Sequence, residues 1–350
     1  MLKSKRTLFA AKVIIISIVL LRIILFTISC SKSDNLPQAE QEASALASAD
    51  STDLFKIRFR PQWLHQAQFA GVYMALKKGF YRNYGLDVEI QSGGPDYPAY
   101  ESLLNGSTDI VTLGLATAIA KTAQDHELVN LAQVSQKSAL MLVGKKSPRL
   151  QSINDLNGKK VGLWRSDFQD LPLVFFQEKN LHVKVIPIDW TISLLLNDAV
   201  DMMNLMVYNE YHQVLMSGID KEQLFEIRFS DIGYNFIEDG IYTTREFYEK
   251  NPVICKNFAE ATMDGWLYAI NHQDETLDVV LDIMRRNFIP ANIPHQAWML
   301  KTWADLILAK PTSIGVLEKR DFEFAQGLLL KNKVIPRKLD YERFYPHAAE

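Results

Sequence analysis

From residue 54 onward the chain switches repeatedly between two hydrophobic rhythms. Phe55-Lys56-Ile57-Arg58-Phe59 puts apolar side chains on every second position, the period of a strand with one buried face. Residues 69–81 then space Val72, Tyr73, Leu76 and Phe80 three or four apart, the period of a helix, with Gly79 near its end. Residues 86–90 alternate again, Ser92-Gly93-Gly94-Pro95 is a turn, and 100–105 is a short helix stopped by Gly106. A buried strand follows over 108–115 and a helix over 116–124; 140–143 reads as a further strand.

After the polar stretch 147–158 a fresh series begins. Strands are predicted at 160–164, 183–188 and 202–207, and helices at 171–180, 194–199 and 211–217. The chain returns at Gly240-Ile241-Tyr242-Thr243-Thr244, and Pro252 opens a long helix with Ile254, Phe258, Ala261 and Leu267 on one face. Helices at 275–287 and 295–307 precede a thin C-terminal tail. Such alternation predicts an α/β protein with mixed, mostly parallel sheets covered on both faces. The predicted division is one lobe from 54–145 plus 237–335, a second lobe at 146–236, and a tail at 336–350. A lobe interrupted by another, with two crossing segments, makes a cleft over a hinge that can close on a ligand. Two-lobed enzymes share that plan, so chemistry has to be argued from residues.

The first 53 residues have a different texture. Lys3, Lys5, Arg6 and Lys12 precede an apolar run over 13–28, broken by Ser17, Arg22 and Thr27 and closed by Ser29-Cys30. That order is an export signal over 1–29, or an uncleaved anchor helix. Thr27-Ile28-Ser29-Cys30 resembles a lipobox, which implies lipid on Cys30 and a bacterial membrane anchor, at the periplasmic or cell surface. Residues 30–53, poor in large apolar side chains, read as a flexible tether. Either reading of the leader places the rest outside the cytoplasmic membrane. Cys255 is the only other cysteine, so no internal disulfide is expected and the core must supply stability. The chain carries −3 overall, and −8 once the five cations of the leader are set aside. That balance argues against nucleic acid as a partner.

Four stretches carry a family likeness: Trp63-Leu64-His65-Gln66-Ala67-Gln68-Phe69-Ala70-Gly71-Val72-Tyr73-Met74-Ala75 with Lys78-Gly79-Phe80-Tyr81 and Gly85-Leu86-Asp87-Val88; Gly93-Gly94-Pro95; 109–114; and Tyr208-Asn209-Glu210 with Asp239. Together they resemble the periplasmic binding protein family for thiamine pyrimidine precursors, which also contains fungal thiamine pyrimidine synthases. The resemblance implies a type II periplasmic-binding-protein fold, no cofactor, a small heterocyclic ligand, and an ABC permease and ATPase as partners.

Ligand groups are expected at strand C-termini and helix N-termini that face the cleft. Those positions hold Trp63, His65, Gln66 and Gln68 after the first strand, Gly93, Gly94 and Asp96 after the second, and Ala116 and Thr117 at a helix start beside Leu115. In the second lobe they hold Trp164, Asp167, Asn209 and Glu210; Asp239 lies at the return. Trp63, Trp164 or Tyr73 can stack on a flat ring, and Glu210 can accept from an aminopyrimidine edge. The structural alternatives are a core aromatic for Trp63 and Tyr73, a helix cap for His65, an interlobe salt bridge for Glu210 and a hinge position for Asp239. Trp190, Trp266, Trp298 and Trp303 read as packing.

The family's enzymes use a cysteine-rich run and a donated histidine. Here the cysteines are two and far apart, and Phe69 stands where that histidine aligns. His126, His182, His212, His272, His295 and His347 are scattered without metal-ligand spacing. A binding protein is therefore expected, the alternatives being a synthase-like enzyme or a sensor module for a membrane partner.

Overall fold

The computed structural model describes residues 54–346 except 125, 166 and 167, so the leader, Cys30, the tether, Asp167 and the last four residues lie outside the described residues. In chain order the strands are β1 (Phe55–Arg60), β2 (Leu86–Ile90), β3 (Ile110–Leu113), β4 (Leu128–Gln133), β5 (Leu140–Lys145), β6 (Lys160–Trp164), β7 (Lys184–Ile188), β8 (Met202–Met206), β9 (Leu224–Arg228) and β10 (Gly240–Thr244). They build two five-stranded sheets, ordered β2-β1-β3-β10-β4 and β7-β6-β8-β5-β9. β1 pairs in parallel with β2 and β3, whereas β10 runs antiparallel between β3 and β4. The second sheet repeats the arrangement: β6 is parallel to β7 and β8, and β5 is antiparallel to β8 and β9. In each sheet the reversed strand is the one that has just arrived from the other lobe. This is the mixed, two-lobed α/β architecture expected from the alternation.

Six helices matter for the site: α1 (Ala70–Lys77), α2 (Leu115–Ala123), α3 (Glu210–Met216), α4 (Pro252–Asn271), α5 (Ile293–Ile307) and α6 (Lys319–Lys331). The helix expected over 69–81 is split, because Gly79 takes φ +75° and turns the chain before Phe80. α4 begins with Pro252 in its first turn, where a missing N–H costs nothing. It crosses α1 so closely that a Cβ on Gly265 would fall 2.1 Å from the Gly71 carbonyl oxygen. Phe59, Tyr81, Phe258, Trp266 and Trp303 fill the core of the first lobe. Met141, Val143, Met203, Leu205 and Val214 fill one layer of the second. Each such side chain contributes about 1.5–3 kcal/mol by leaving water.

Two short segments, 134–139 and 233–239, join the lobes, and they are hydrogen-bonded to each other. The Val134 N–H donates to the Asp239 carbonyl (3.1 Å), and the Ser135 hydroxyl to the Glu238 carbonyl (2.6 Å). The buried Glu238 carboxylate accepts from the Ser138 hydroxyl (2.7 Å) and the Ala139 N–H (2.9 Å). The hinge is thus a pair of irregular segments laced by one carboxylate.

Several expectations are corrected. Residues 140–145 belong to the second sheet, which moves the lobe boundary to the hinge itself. β4 and β9 escaped notice, β4 because Asn130 and Gln133 interrupt its apolar run although both are fully buried. The C-terminal stretch is not thin: α6 buries Phe322, Ala325 and Leu329, and Tyr341–Phe344 is a further helical turn packed on the core. No helix among the described residues is long and apolar enough to cross a membrane.

Candidate functional site

The loop after β1 is held by glycine. Gly93 is buried against it, so that a Cβ there would lie 2.0 Å from the Pro61 carbonyl oxygen and 2.6 Å from that of Trp63. The loop presents Gln62 and Trp63, then turns into α1. The Gln62 side-chain amide donates to one oxygen of Asp239, and the Gln68 amide donates to the other at 2.8 Å. Gln66 donates to Gln68 at 2.6 Å. Asp239 itself adopts φ +47° at the end of the hinge and is buried. The hinge reading of Asp239 and its place beside the loop glutamines therefore hold together.

From the second lobe come Tyr208, Asn209 and Glu210, at the junction of β8 and α3. Glu210 is buried, accepting from the Met206 N–H (3.1 Å) and from the Asn209 amide (2.7 Å). It forms no ion pair with a described cation, so the salt-bridge alternative fails. Burial, and after it the charges of Asp239, Glu210 and Glu238, push the Tyr208 hydroxyl far above its ordinary range. Burial raises Glu210 and Glu238 to about 7 and Asp239 to about 8, the last also pushed up by Glu238. No lysine or arginine among the described residues offsets them. An uncompensated cluster of this kind is expensive and marks a functional site more often than a structural one.

The remaining residues divide. Trp63 is half-buried and meets Trp190 of the second lobe edge-on, ring centroids 6.3 Å apart. Trp190 is 53% exposed on the loop after β7 and so is no packing residue, correcting that expectation. His65 is buried and bonded to the hydroxyl of the equally buried Tyr73 (3.0 Å), which puts both in the core; burial lowers the imidazole. Ala116 and Thr117 start α2 at a small gap shared with Phe168, Leu171 and Glu238, with room for about one water. The Leu115 N–H is already taken by the Ile237 carbonyl (3.2 Å), which leaves the next two. Trp164 is half-buried against Phe168, and its backbone N–H donates to the Asn204 side-chain oxygen (3.1 Å). Gly94 packs under Leu64, whereas Asp96 is exposed on the turn and joins no described hydrogen bond to the set.

Sequence reasoning left out Gln62 and the pairing of His212 with His295, named Tyr208 only within the family likeness, and read Trp190 as packing. The two imidazole planes lie within 7° of each other and meet edge to edge, ring centroids 5.2 Å apart and Nδ1 atoms 2.9 Å apart, and the Trp298 ring covers His212 at 4.6 Å. Trp298 also donates from Nε1 to the Val207 carbonyl (3.0 Å), so it packs across the cleft rather than within one lobe. Gln62 adjoins the Trp63 stretch and was within reach of the motif. The histidines, 83 positions apart, left no local signal.

A family model described as NMT1/THI5 like matches residues 66–276. The riboflavin-binding protein RibY of Chloroflexus aurantiacus is 22% identical over 287 residues, 78% of this chain and 79% of that protein. Among solved structures, the periplasmic aliphatic sulphonate binding protein SsuA of Escherichia coli superposes with a TM-score of 0.62 at 14% identity, covering 83% of this chain and 97% of that one. The alkanesulfonate-binding protein SsuA of Xanthomonas axonopodis pv. citri, bound to MOPS, gives 0.59 at 12% identity, covering 85% and 99%.

Proposed function

The chain belongs to the NMT1/THI5-like family and has the periplasmic-binding-protein fold; on that premise we propose that it is an extracytoplasmic solute-binding protein of an ABC importer, closing on an N–H-rich heterocycle such as a thiamine pyrimidine precursor. The observation that carries this reading is three buried carboxyls, Glu238 and Asp239 at the hinge and Glu210 at the start of α3, none of them ion-paired with a described cation. An aminopyrimidine offers such carboxyls both N–H donors and ring-nitrogen acceptors, so it can pair with them ionised or protonated, at about 1.5–3 kcal/mol for a bond to a charged group and about 0.5–1.5 kcal/mol for a neutral one. A sulfonate brings acceptors only, and meets like charge wherever one of these carboxyls is ionised. Trp63 and Trp190 supply aromatic walls from the two lobes, worth about 0.5–1.5 kcal/mol beyond area burial. The small gap at α2 is far below the roughly 300 Å³ a ligand needs, so entry requires the hinge to open.

Attachment through Cys30 and delivery to a permease and ATPase belong to the same proposal. Catalysis is disfavoured because the Cys255 thiol is buried and pushed up to about 12, where it is no nucleophile at neutral pH. Phe69, at the aligned position of the donated histidine, is a core residue.

Calorimetric titration with 4-amino-5-hydroxymethyl-2-methylpyrimidine, riboflavin and an alkanesulfonate tests the reading. The pyrimidine is expected to bind, and Glu210→Gln to weaken it about 10- to 100-fold. Binding of riboflavin or the sulfonate with none of the pyrimidine overturns the ligand assignment.

A further inference from the structure

His212 sits on α3, in the helical layer of the second lobe. His295 sits in the first turn of α5, which is tied to the first lobe through the Gln296 side chain accepting from the Ala67 N–H (2.8 Å). Their Nδ1 atoms are 2.9 Å apart. We propose that His212 and His295 form a proton-sensitive clasp across the cleft, which holds the lobes together while the rings share one Nδ1 proton and releases them when each carries its own. It rests on the reading of a cleft that opens and closes, but not on the identity of the ligand.

Hydrogen-bond accounting assigns the protons. Asn209 donates from its amide nitrogen to Glu210 (2.7 Å), so its oxygen faces Gln213 Nε2 (3.0 Å) and His295 Nε2 (2.9 Å). Both of those atoms must donate. A neutral His295 with its proton on Nε2 has a lone pair on Nδ1, and His212 donates into it. One further proton on the outer nitrogen of His212 leaves this bond intact. With His212 already charged, a second proton on His295 Nδ1 does not: two N–H groups then face each other at 2.9 Å, in a pair of like charges. The same chain of bonds ends on Glu210, making His295 a positioning residue for that carboxyl through Asn209.

The surroundings offer no rescue for the second charge. From α3 the rings meet Glu210, only through Asn209, and Tyr211. Behind Tyr211 on β9, Glu226 accepts its hydroxyl (2.6 Å) and Arg228 lies over its ring. From α5 come Trp298, stacked on His212, and Gln296. No described carboxylate bonds either imidazole. Burial, and secondarily His212, accordingly lower His295 to about 4, and burial lowers His212 as well. Released into water, an opened His295 returns toward 6.5. The open form therefore takes up a proton that the closed form refuses. Closure is fully favoured above about 6.5 and weakens up to tenfold per pH unit as pH falls toward 4. Glu210, Glu238 and Asp239 pull the other way, because they favour the closed form when protonated, so the clasp must be read as a difference between proteins.

Amide exchange of the full-length protein, wild type against His295→Gln, makes that comparison without any ligand. Glutamine can keep both bonds and cannot titrate. At pH 5.5 the segments 207–216 and 293–299 are expected to open about tenfold more often, relative to pH 7.5 and after correction for intrinsic exchange, in wild type than in the variant. Equal responses overturn the clasp. Exchange at the histidine Cε1–H of the wild type gives a second reading that depends on no variant: His295 should titrate well below 6.5, and a value near 6.5 refutes the proposal. Neither result depends on whether a pyrimidine binds.

Discussion

Gly93 gives the most direct handle on how the fold positions the ligand loop. An added Cβ would stand 2.0 Å from the Pro61 carbonyl oxygen and 2.6 Å from that of Trp63, both backbone atoms that no rotamer change can move aside. Ordinary contact requires about 3.4 Å, so in Gly93→Ala the 61–64 loop must retreat by more than about 1 Å or the second strand must bend. Overpacking of this kind costs about 1–3 kcal/mol, offset by roughly 0.4–1 kcal/mol from the stiffer unfolded chain. A net loss of about 1–2 kcal/mol lowers the thermal midpoint by roughly 2–8 °C in a domain of this size. The functional loss is larger, because the moving loop carries Gln62 away from Asp239 and Trp63 away from Trp190. Affinity for the aminopyrimidine should fall at least about tenfold, the equivalent of one lost hydrogen bond and a displaced ring. Gly106→Ala supplies the control: Gly106 has φ +73° with nothing within 4 Å of a Cβ, so strain costs about 1–2 kcal/mol without touching the loop. Scanning calorimetry and ligand titration on both variants decide the matter. If Gly93→Ala binds as tightly as wild type, or Gly106→Ala loses as much affinity, the loop is not positioned in this way.

Two other outcomes follow from the site. Between pH 7 and 8 His295 is mostly neutral whether buried or exposed, whereas Glu210, Glu238 and Asp239 retain protons in the folded protein that the unfolded chain has already lost. Stability should therefore fall as pH rises through 7 to 8, by up to about 1.4 kcal/mol per pH unit for each retained proton, and thermal melts over that range should show a smaller slope in Glu238→Gln. Trp190→Ala should leave the melting temperature nearly unchanged, since the side chain is half-exposed, yet weaken a flat ligand by about 0.5–1.5 kcal/mol in calorimetry. An unchanged affinity would remove Trp190 from the site.

Local chemistry accounts for much of what was legible in advance. Period-two and period-3.6 runs in 55–90 and 160–217 marked most strands and helices, because each element buries one face. Polar residues packed between strand ends and helix starts marked Gln66, Gln68, Asn209, Glu210 and Asp239. The failures share a cause as well. β4 contains buried Asn130 and Gln133, whose partners are each other and the Glu238 carbonyl, and that satisfaction is invisible in a hydropathy pattern. The strand at 140–145 looked like a continuation of the first lobe because chain order does not reveal which sheet edge a strand will join.

By itself the sequence determined the α/β class and the return of the chain near residue 240, and it offered a candidate list of strand-end residues, since periodicity and strand-end chemistry are properties of neighbours. Only the tertiary structure decided that the lobes divide at the hinge pair 134–139 and 233–239, that His65 bonds inward to Tyr73, that Trp190 faces Trp63, and that His212 meets His295. His65 and Tyr73 are eight positions apart, but burial of both rings in the core is what pairs them. The other pairings join positions up to 127 residues apart and depend on contacts between the lobes, so no local window of sequence contains both partners.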